Sequence, residues 1–318
     1  MSDTASQPAT KVADGREGFV DLQVNGYAGV DFNADDLSPE DLHTACEALA
    51  SGGVASFCPT IITETTERMT ARLRRLVELA AADPLAERMV AGLHIEGPLL
   101  NPGRGYIGAH PAAPAKAATG DIVRRLVDAC EGHARIVTLA PERCDASLVR
   151  DLVARGVLVA AGHTDATGDD LDRAIDAGLS MVTHLGNGCP HVLPRHDNIL
   201  QRVLSRRDAL RVTLIADGIH LPPETLTNFL RDLPHVAIVS DATAATSLGP
   251  GRYSLGGQPV VVDETLAAWS DDRTHLVGSA APLSHAAGVL RDVGCSAQTV
   301  ASLLSHRPAA WLREAEAT

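Results

Sequence analysis

"MVAGLHIEGP", residues 89–98, is the stretch on which the fold turns. An apolar run from Met89 to Leu93 reads as a buried strand, here taken as Val90 to Glu96, but it ends in His94, Glu96 and a Gly97-Pro98 stop. An unpaired carboxylate at the tip of a hydrophobic strand is costly to bury. The segment therefore asks what neutralises Glu96.

The same construction recurs along the chain. Further strand candidates are Phe19 to Val24, Val54 to Ile62, Ile136 to Ala140, Val157 to Ala161, Ser180 to His184, Arg211 to Ala216 and Val236 to Asp241. Helical patterns lie between them, such as residues 39–52, 65–82 and 168–179, with Pro39 suited to the first helical position after Ser38 and Gly52 to a C-terminal stop. Alternating strands and helices predict a parallel β/α architecture. A doubly wound open sheet shares that local pattern. Gln23, Asn25, Glu96, Glu142, His163, His184, Asp217 and Asp241 all fall at or just past C-terminal strand ends. A (β/α)8 TIM-type barrel gathers such ends around one mouth, where its chemistry resides, whereas an open sheet spreads them along an edge. The expected fold is the barrel.

Three segments accompany the opening stretch: "VAAGHTDAT" (159–167), "MVTHLGNG" (181–188) and "AIVSDATAA" (237–245). Each sets one ionisable group after an apolar strand, namely His163, His184 and Asp241. Taken singly, a strand-end histidine is commonly a hydrogen-bonded structural residue and a lone aspartate a helix cap. Together, one carboxylate and two imidazoles at one barrel mouth suit a divalent metal with a position left for water. Such an ion makes water acidic near neutral pH, and Asp241 then suits a general base.

Composition narrows the partners. Apolar residues form 45% of the 318 and aromatics only 3%, so the core is built from Ala, Val, Leu and Ile. A formal charge of -13 without a basic block argues against nucleic acid or an anionic membrane. The six cysteines are scattered without a CxxC pair and read as reduced thiols. Residues 1–17 read as a polar flexible segment without a signal-peptide core, and residues 18–318 as one barrel domain. A cytoplasmic protein is the expectation.

"HIEGP", "AGHTDAT", "THLGNG", "ADGIH" and "SDATAA", in that order, resemble the N-acetylglucosamine-6-phosphate deacetylase family of the amidohydrolase superfamily. "DLQVNGYAGVDFN" (21–33), "GAHP" (108–111), "LAPE" (139–142) and "LVGSAAPL" (276–283) match as well, so the resemblance covers about residues 18–310. It implies a metal-dependent barrel that removes the N-acetyl group from an amino-sugar 6-phosphate. It also implies Glu96, His163 and His184 as ligands of one divalent ion, zinc first, with iron, manganese or cobalt as alternatives. Asp241 becomes the catalytic acid/base and His110 the residue that steadies the oxyanion. Gln23 and Asn25 stand where many amidohydrolases place a His-x-His pair for a second metal. Substrate contacts implied by the motifs are Ala109, His110, Asn187, Gly188, Arg195 for the phosphate, His220, Gly278 and Ser279. Asp217 is expected to orient a neighbour. A homodimer is implied.

Against that family pattern, the chain lacks strand patterning on its flanks, so the accessory β-sandwich is expected to be absent. "HLGNGCP" has Gly186 and Gly188 in place of an aromatic and an alanine, and "PRHDN" (194–198) also differs. These changes keep two alternatives open: deacetylation of another N-acylated amino sugar, phosphorylated or not, or of an N-acyl amino acid. A non-catalytic sugar-phosphate-binding protein would be expected to have lost some of Glu96, His163, His184 and Asp241, and all four are present.

Overall fold

A computed structural model describes residues 18–316; the expected flexible segment, residues 1–17, lies outside the described residues. Eight parallel strands form one sheet in sequential order: β1 (Phe19–Val24), β2 (Val54–Ile62), β3 (Leu93–Glu96), β4 (Ala134–Leu139), β5 (Leu158–Ala161), β6 (Met181–Val182), β7 (Arg211–Ile215) and β8 (Val236–Val239). Each is followed by a helix: α1 (Pro39–Ser51), α2 (Thr66–Ala82), α3 (Gly120–Ala129), α4 (Ala146–Ala154), α5 (Gly168–Asp176), α6 (Ile199–Leu204), α7 (Pro223–Asp232) and α8 (Leu283–Asp292). The sheet curls until its ends meet. Past β8, Ala242 bridges Val24 in parallel, and its carbonyl accepts from the Asn25 N–H at 2.7 Å. The result is a nearly closed barrel, whose strand tips converge instead of spreading along an edge.

Local chemistry sets the element ends. Ser38 caps α1 in a reciprocal box with Asp41, Pro39 sits in the first turn, and Gly52 stops the helix. β3 starts at Leu93 rather than Val90: Val90 makes only an isolated parallel bridge to Phe57, and Gly92 at φ +131° turns the chain before the continuous ladder begins. β6 is shorter than expected at two residues, since the chain leaves the sheet before His184.

The barrel interior carries polar groups below its rim. His94 is fully buried; its Nδ1 lies 3.1 Å from the Leu22 carbonyl, which can only accept, so Nε2 accepts from Thr138 Oγ1 at 2.8 Å. Thr138 in turn meets Thr183 Oγ1 at 2.7 Å. Burial pushes the His94 pKa down to about 4 and keeps the ring neutral. The histidine of the opening stretch is thus structural, and its neighbour Glu96 reaches the mouth.

Asp21 closes the seam between the first and last strands. Its carboxylate accepts from Ser240 Oγ at 2.5 Å and from the Ser240 N–H at 3.1 Å, immediately before Asp241. Burial pushes the Asp21 pKa up to about 7. The folded protein therefore holds a proton that the unfolded chain releases near pH 4. This group's contribution to stability is greatest below that point and declines as pH rises to about 7, by at most about 1.4 kcal/mol per pH unit. Asp21→Asn should remove that slope: the stability of wild type relative to the variant, from urea unfolding at a series of pH values, should fall as pH rises from 4 to 7. Parallel profiles would contradict it.

One element escaped the sequence reading. Between β8 and α8, strands β9 (Gly251–Leu255), β10 (Gln258–Val262) and β11 (Ala268–Ser270) form an antiparallel sheet. Its first turn is Gly256-Gly257, a two-residue hairpin signal, both at positive φ. All six cysteines are free. No helix among the described residues is long and apolar enough to cross a membrane.

Candidate active site

A cavity of about 910 Å³ opens at the C-terminal mouth of the barrel. Its wall includes Asn25, Glu96, His110, His163, His184, Asn187, Gly188, His220, Asp241 and Gly278, each delivered by a strand end or the loop behind it. Ala109 lines it too, held by Gln258 Nε2 donating to its carbonyl at 2.9 Å, which ties the antiparallel sheet to the loop bearing His110.

Glu96 is the hub. Its Oε1 lies 2.9 Å from His184 Nε2 and 3.3 Å from His163 Nε2, and its Oε2 lies 3.7 Å from His110 Nε2. The rings pack edge-on, His110 to His163 at 4.5 Å and His163 to His184 at 5.0 Å between centroids. Burial opposes ionisation of Glu96, but its bonds to His163 and His184 outweigh it and hold the carboxyl well below the usual range. Glu96, His110 and His163 each offer a ligand atom within 4.8 Å of the others.

Hydrogen bonds on the far ring nitrogens separate the histidines. His163 Nδ1 faces the Tyr106 carbonyl at 2.7 Å and must donate to it, which leaves neutral His163 with a lone pair on Nε2. That lone pair points at the Glu96 anion, an arrangement that a second proton or a cation reconciles. A divalent ion would do so, and a carboxylate with imidazoles is a donor set that divalent metals accept. His110 has the opposite tautomer. Its Nδ1 accepts from the Thr63 N–H at 3.2 Å, so its proton sits on Nε2. Burial, helped by His163, pushes the His110 pKa down to about 3, and the neutral ring is a hydrogen-bond donor into the cavity. The residues present fit a divalent metal.

Asp241 faces this group from β8. Its Oδ1 accepts from Asn25 Nδ2 at 2.7 Å and Gln23 Nε2 at 3.0 Å; Gln23 Nε2 also reaches Glu96 Oε1 at 3.1 Å. The two amides in place of a His-x-His pair thus clamp Asp241 and brace Glu96. With Oδ1 saturated, a proton on Asp241 belongs on Oδ2. Burial and the nearby Glu96 charge push its pKa up to about 6. His163, His184 and Asp241 all adopt positive φ, at 50°, 34° and 52°, a region that side chains other than glycine seldom enter.

The remaining expected residues divide. Asn187 hangs on the His184 carbonyl through its backbone N–H at 2.9 Å, with Nδ2 buried and without a partner. A Cβ on Gly188 would stand 2.8 Å from His163 Nδ1 at φ +62°, so even an alanine would press on the ring here. His220 Nδ1 pairs with Asp217 Oδ2 at 2.7 Å, and Ser279 Oγ holds the same oxygen at 3.0 Å. Asp217, held well below the usual carboxylate range by His220 despite its burial, orients His220 as expected. Ser279 is buried behind the wall, its backbone N–H donating to the Asp241 carbonyl at 2.8 Å. Arg195 is exposed and does not line the cavity. Arg104, Trp269 and His275 do, and the sequence reading passed over all three. A basic residue shortly after "HIEGP" was the available signal for Arg104.

No protein-family model matches the chain. Among curated proteins, the N-acetylglucosamine-6-phosphate deacetylase of Homo sapiens is 34% identical over 306 residues, covering 92% of this chain and 73% of that protein. The enzyme of the same name from Bacillus subtilis (strain 168) is 30% identical over 298 residues, covering 92% and 74%. Among solved structures, N-acetylglucosamine-6-phosphate deacetylase from Pasteurella multocida superposes with a TM-score of 0.84 at 26% identity, covering 99% of this chain and 81% of that one. A variant of the Mycobacterium smegmatis enzyme, in complex with N-acetyl-D-glucosamine-6-phosphate, gives 0.83 at 27% identity, covering 93% and 77%. A shared barrel, shared motifs and identity at this level over nearly the whole chain have one explanation: the chain belongs to the N-acetylglucosamine-6-phosphate deacetylase family.

Proposed function

We propose that this protein hydrolyses the N-acetyl group of N-acetylglucosamine 6-phosphate, releasing acetate and the free amino sugar. The observation that carries the proposal is the floor of the cavity, where ionised Glu96 meets His163 and His184 opposite an aspartate with one oxygen free. Glu96, His163 and His184 would hold one divalent ion, with zinc as our assignment; such an ion supplies Lewis acidity and lowers the pKa of water. Asp241 Oδ2 takes the proton of the attacking water and returns it to the amine nitrogen as the C–N bond breaks. His110 Nε2–H donates to the carbonyl oxygen as it gains negative charge, a role its tautomer suits. Asn187, Gly188, His220 and Gly278 line the space for the sugar.

The anionic end of the substrate needs a cation, and two arginines compete for it. Arg104 lines the cavity with His191 and His275, while Arg195 does not. We assign the phosphate contact to Arg104. Arg104→Ala should lower kcat/KM for the 6-phosphate substrate roughly tenfold or more and leave unphosphorylated N-acetylglucosamine unaffected, and Arg195→Ala should change neither. An acetate-release assay on both substrates decides. The reverse pattern would return the phosphate to Arg195, and two variants indifferent to phosphate would favour an unphosphorylated substrate.

A further inference from the structure

Glu142, the acidic residue of "LAPE", does not line the cavity, yet three loops meet on its carboxylate. Glu142 lies in the short turn Pro141–Arg143 after β4. Its Oε1 accepts from Asn101 Nδ2 at 2.9 Å, in the loop after β3, and from the Asp165 N–H at 2.9 Å, in the loop after β5. Its Oε2 accepts from the Thr164 hydroxyl. Thr164 and Asp165 directly follow His163.

The loop that Glu142 seizes through Asn101 is the one that grips His163. The Asn101 backbone N–H donates to the His163 carbonyl at 2.9 Å. Asn101 Oδ1 accepts from the Gly103 N–H at 2.9 Å, shaping the turn that leads to Tyr106. Tyr106 supplies the carbonyl that takes the His163 Nδ1 proton at 2.7 Å and so directs the Nε2 lone pair to Glu96. One carboxylate therefore braces His163 from both sides: on the following residues directly, and on the ring through Asn101 and Tyr106. The backbone at His163 is at positive φ and does not hold that shape by its own preference.

We infer that Glu142 is a positioning residue for the ion-binding geometry of His163, an inference that rests on His163 being a ligand. Outer partners of a ligating histidine typically govern metal affinity by about 10–100-fold. The test is titration of the metal-stripped protein with Zn²⁺ in competition with a chelator, together with the visible spectrum of the Co²⁺-loaded form. Glu142→Ala should weaken Zn²⁺ binding by about that factor and alter the Co²⁺ spectrum, while still reaching one ion per chain at saturation. Glu142→Gln should recover most of the affinity, since its carbonyl can serve Asn101 and Asp165 while the Thr164 hydroxyl reverses to accept. Asn101→Ala, which cuts the same link from the other loop, should repeat the defect and serves if Glu142→Ala does not fold. His163→Ala separates the two readings. If it lowers affinity far more than Glu142→Ala, the ligand reading holds. If it binds Zn²⁺ like wild type, that reading falls and takes this one with it. Wild-type affinity and spectrum in Glu142→Ala or Asn101→Ala, with only a lower Tm, would overturn the positioning role alone.

Discussion

Asp241→Asn lowers kcat for deacetylation by at least about 10²–10⁴-fold and leaves the bound ion in place. The introduced amide can keep its carbonyl oxygen at the Oδ1 position, where Asn25 and Gln23 donate, so the side chain stays clamped. What changes is the other position, which becomes an NH₂ that can neither take a proton from water nor deliver one to the leaving amine. The loss should therefore fall on kcat with little change in KM. Metal analysis of the purified variant beside an acetate-release assay checks both halves. An ion lost together with activity would make Asp241 chiefly a ligand, and retained activity would dismiss it as the proton carrier.

Glu96→Gln should lose both the ion and turnover. The replacement side chain occupies the same volume but carries no charge, so the His163 and His184 nitrogens would face an amide where they now face an anion. The measurement is thermal. A ligand that binds only the folded state at a hundred times its Kd stabilises by about 2.7 kcal/mol, so adding Zn²⁺ to metal-stripped wild type should raise Tm by several degrees. The Glu96→Gln variant should show no such rise. Chelator treatment of wild type should abolish activity, and Zn²⁺ should restore it. Equal Tm responses in the two proteins, or full activity after stripping, would remove Glu96 from the centre of the reading.

The barrel was legible because apolar strand runs and polar strand tips are local features. β1 and β2 begin and end where their hydrophobic patterns do. The sheet at 251–270 was missed because Arg252, Ser254, Gln258 and Pro259 break up its apolar alternation, although Gly256-Gly257 marked the turn. In the site, residue types announced Glu96, His163, His184 and Asp241, but their arrangement was not visible. Gln23 and Asn25 read as remnants of a lost metal position, and that reading did not show that they clamp a carboxylate more than two hundred positions away in sequence. The tautomers of His110 and His163 depend on one backbone N–H and one backbone carbonyl, and backbone groups carry no letter. Arg195 was placed by motif offset; His191 and Leu193 of the same loop line the cavity, whereas Arg195 itself is exposed and does not.

The left-handed backbone at His163, His184 and Asp241 has an evolutionary consequence. Each such residue stores about 1–3 kcal/mol of strain, relieved most readily by glycine, a replacement that discards the working side chain. Thermotolerance and turnover therefore pull in opposite directions at three positions of one pocket. A library selected for heat resistance alone should drift towards glycine there and yield sturdier, inert proteins, while selection that also demands catalysis must seek its stabilising changes elsewhere in the barrel.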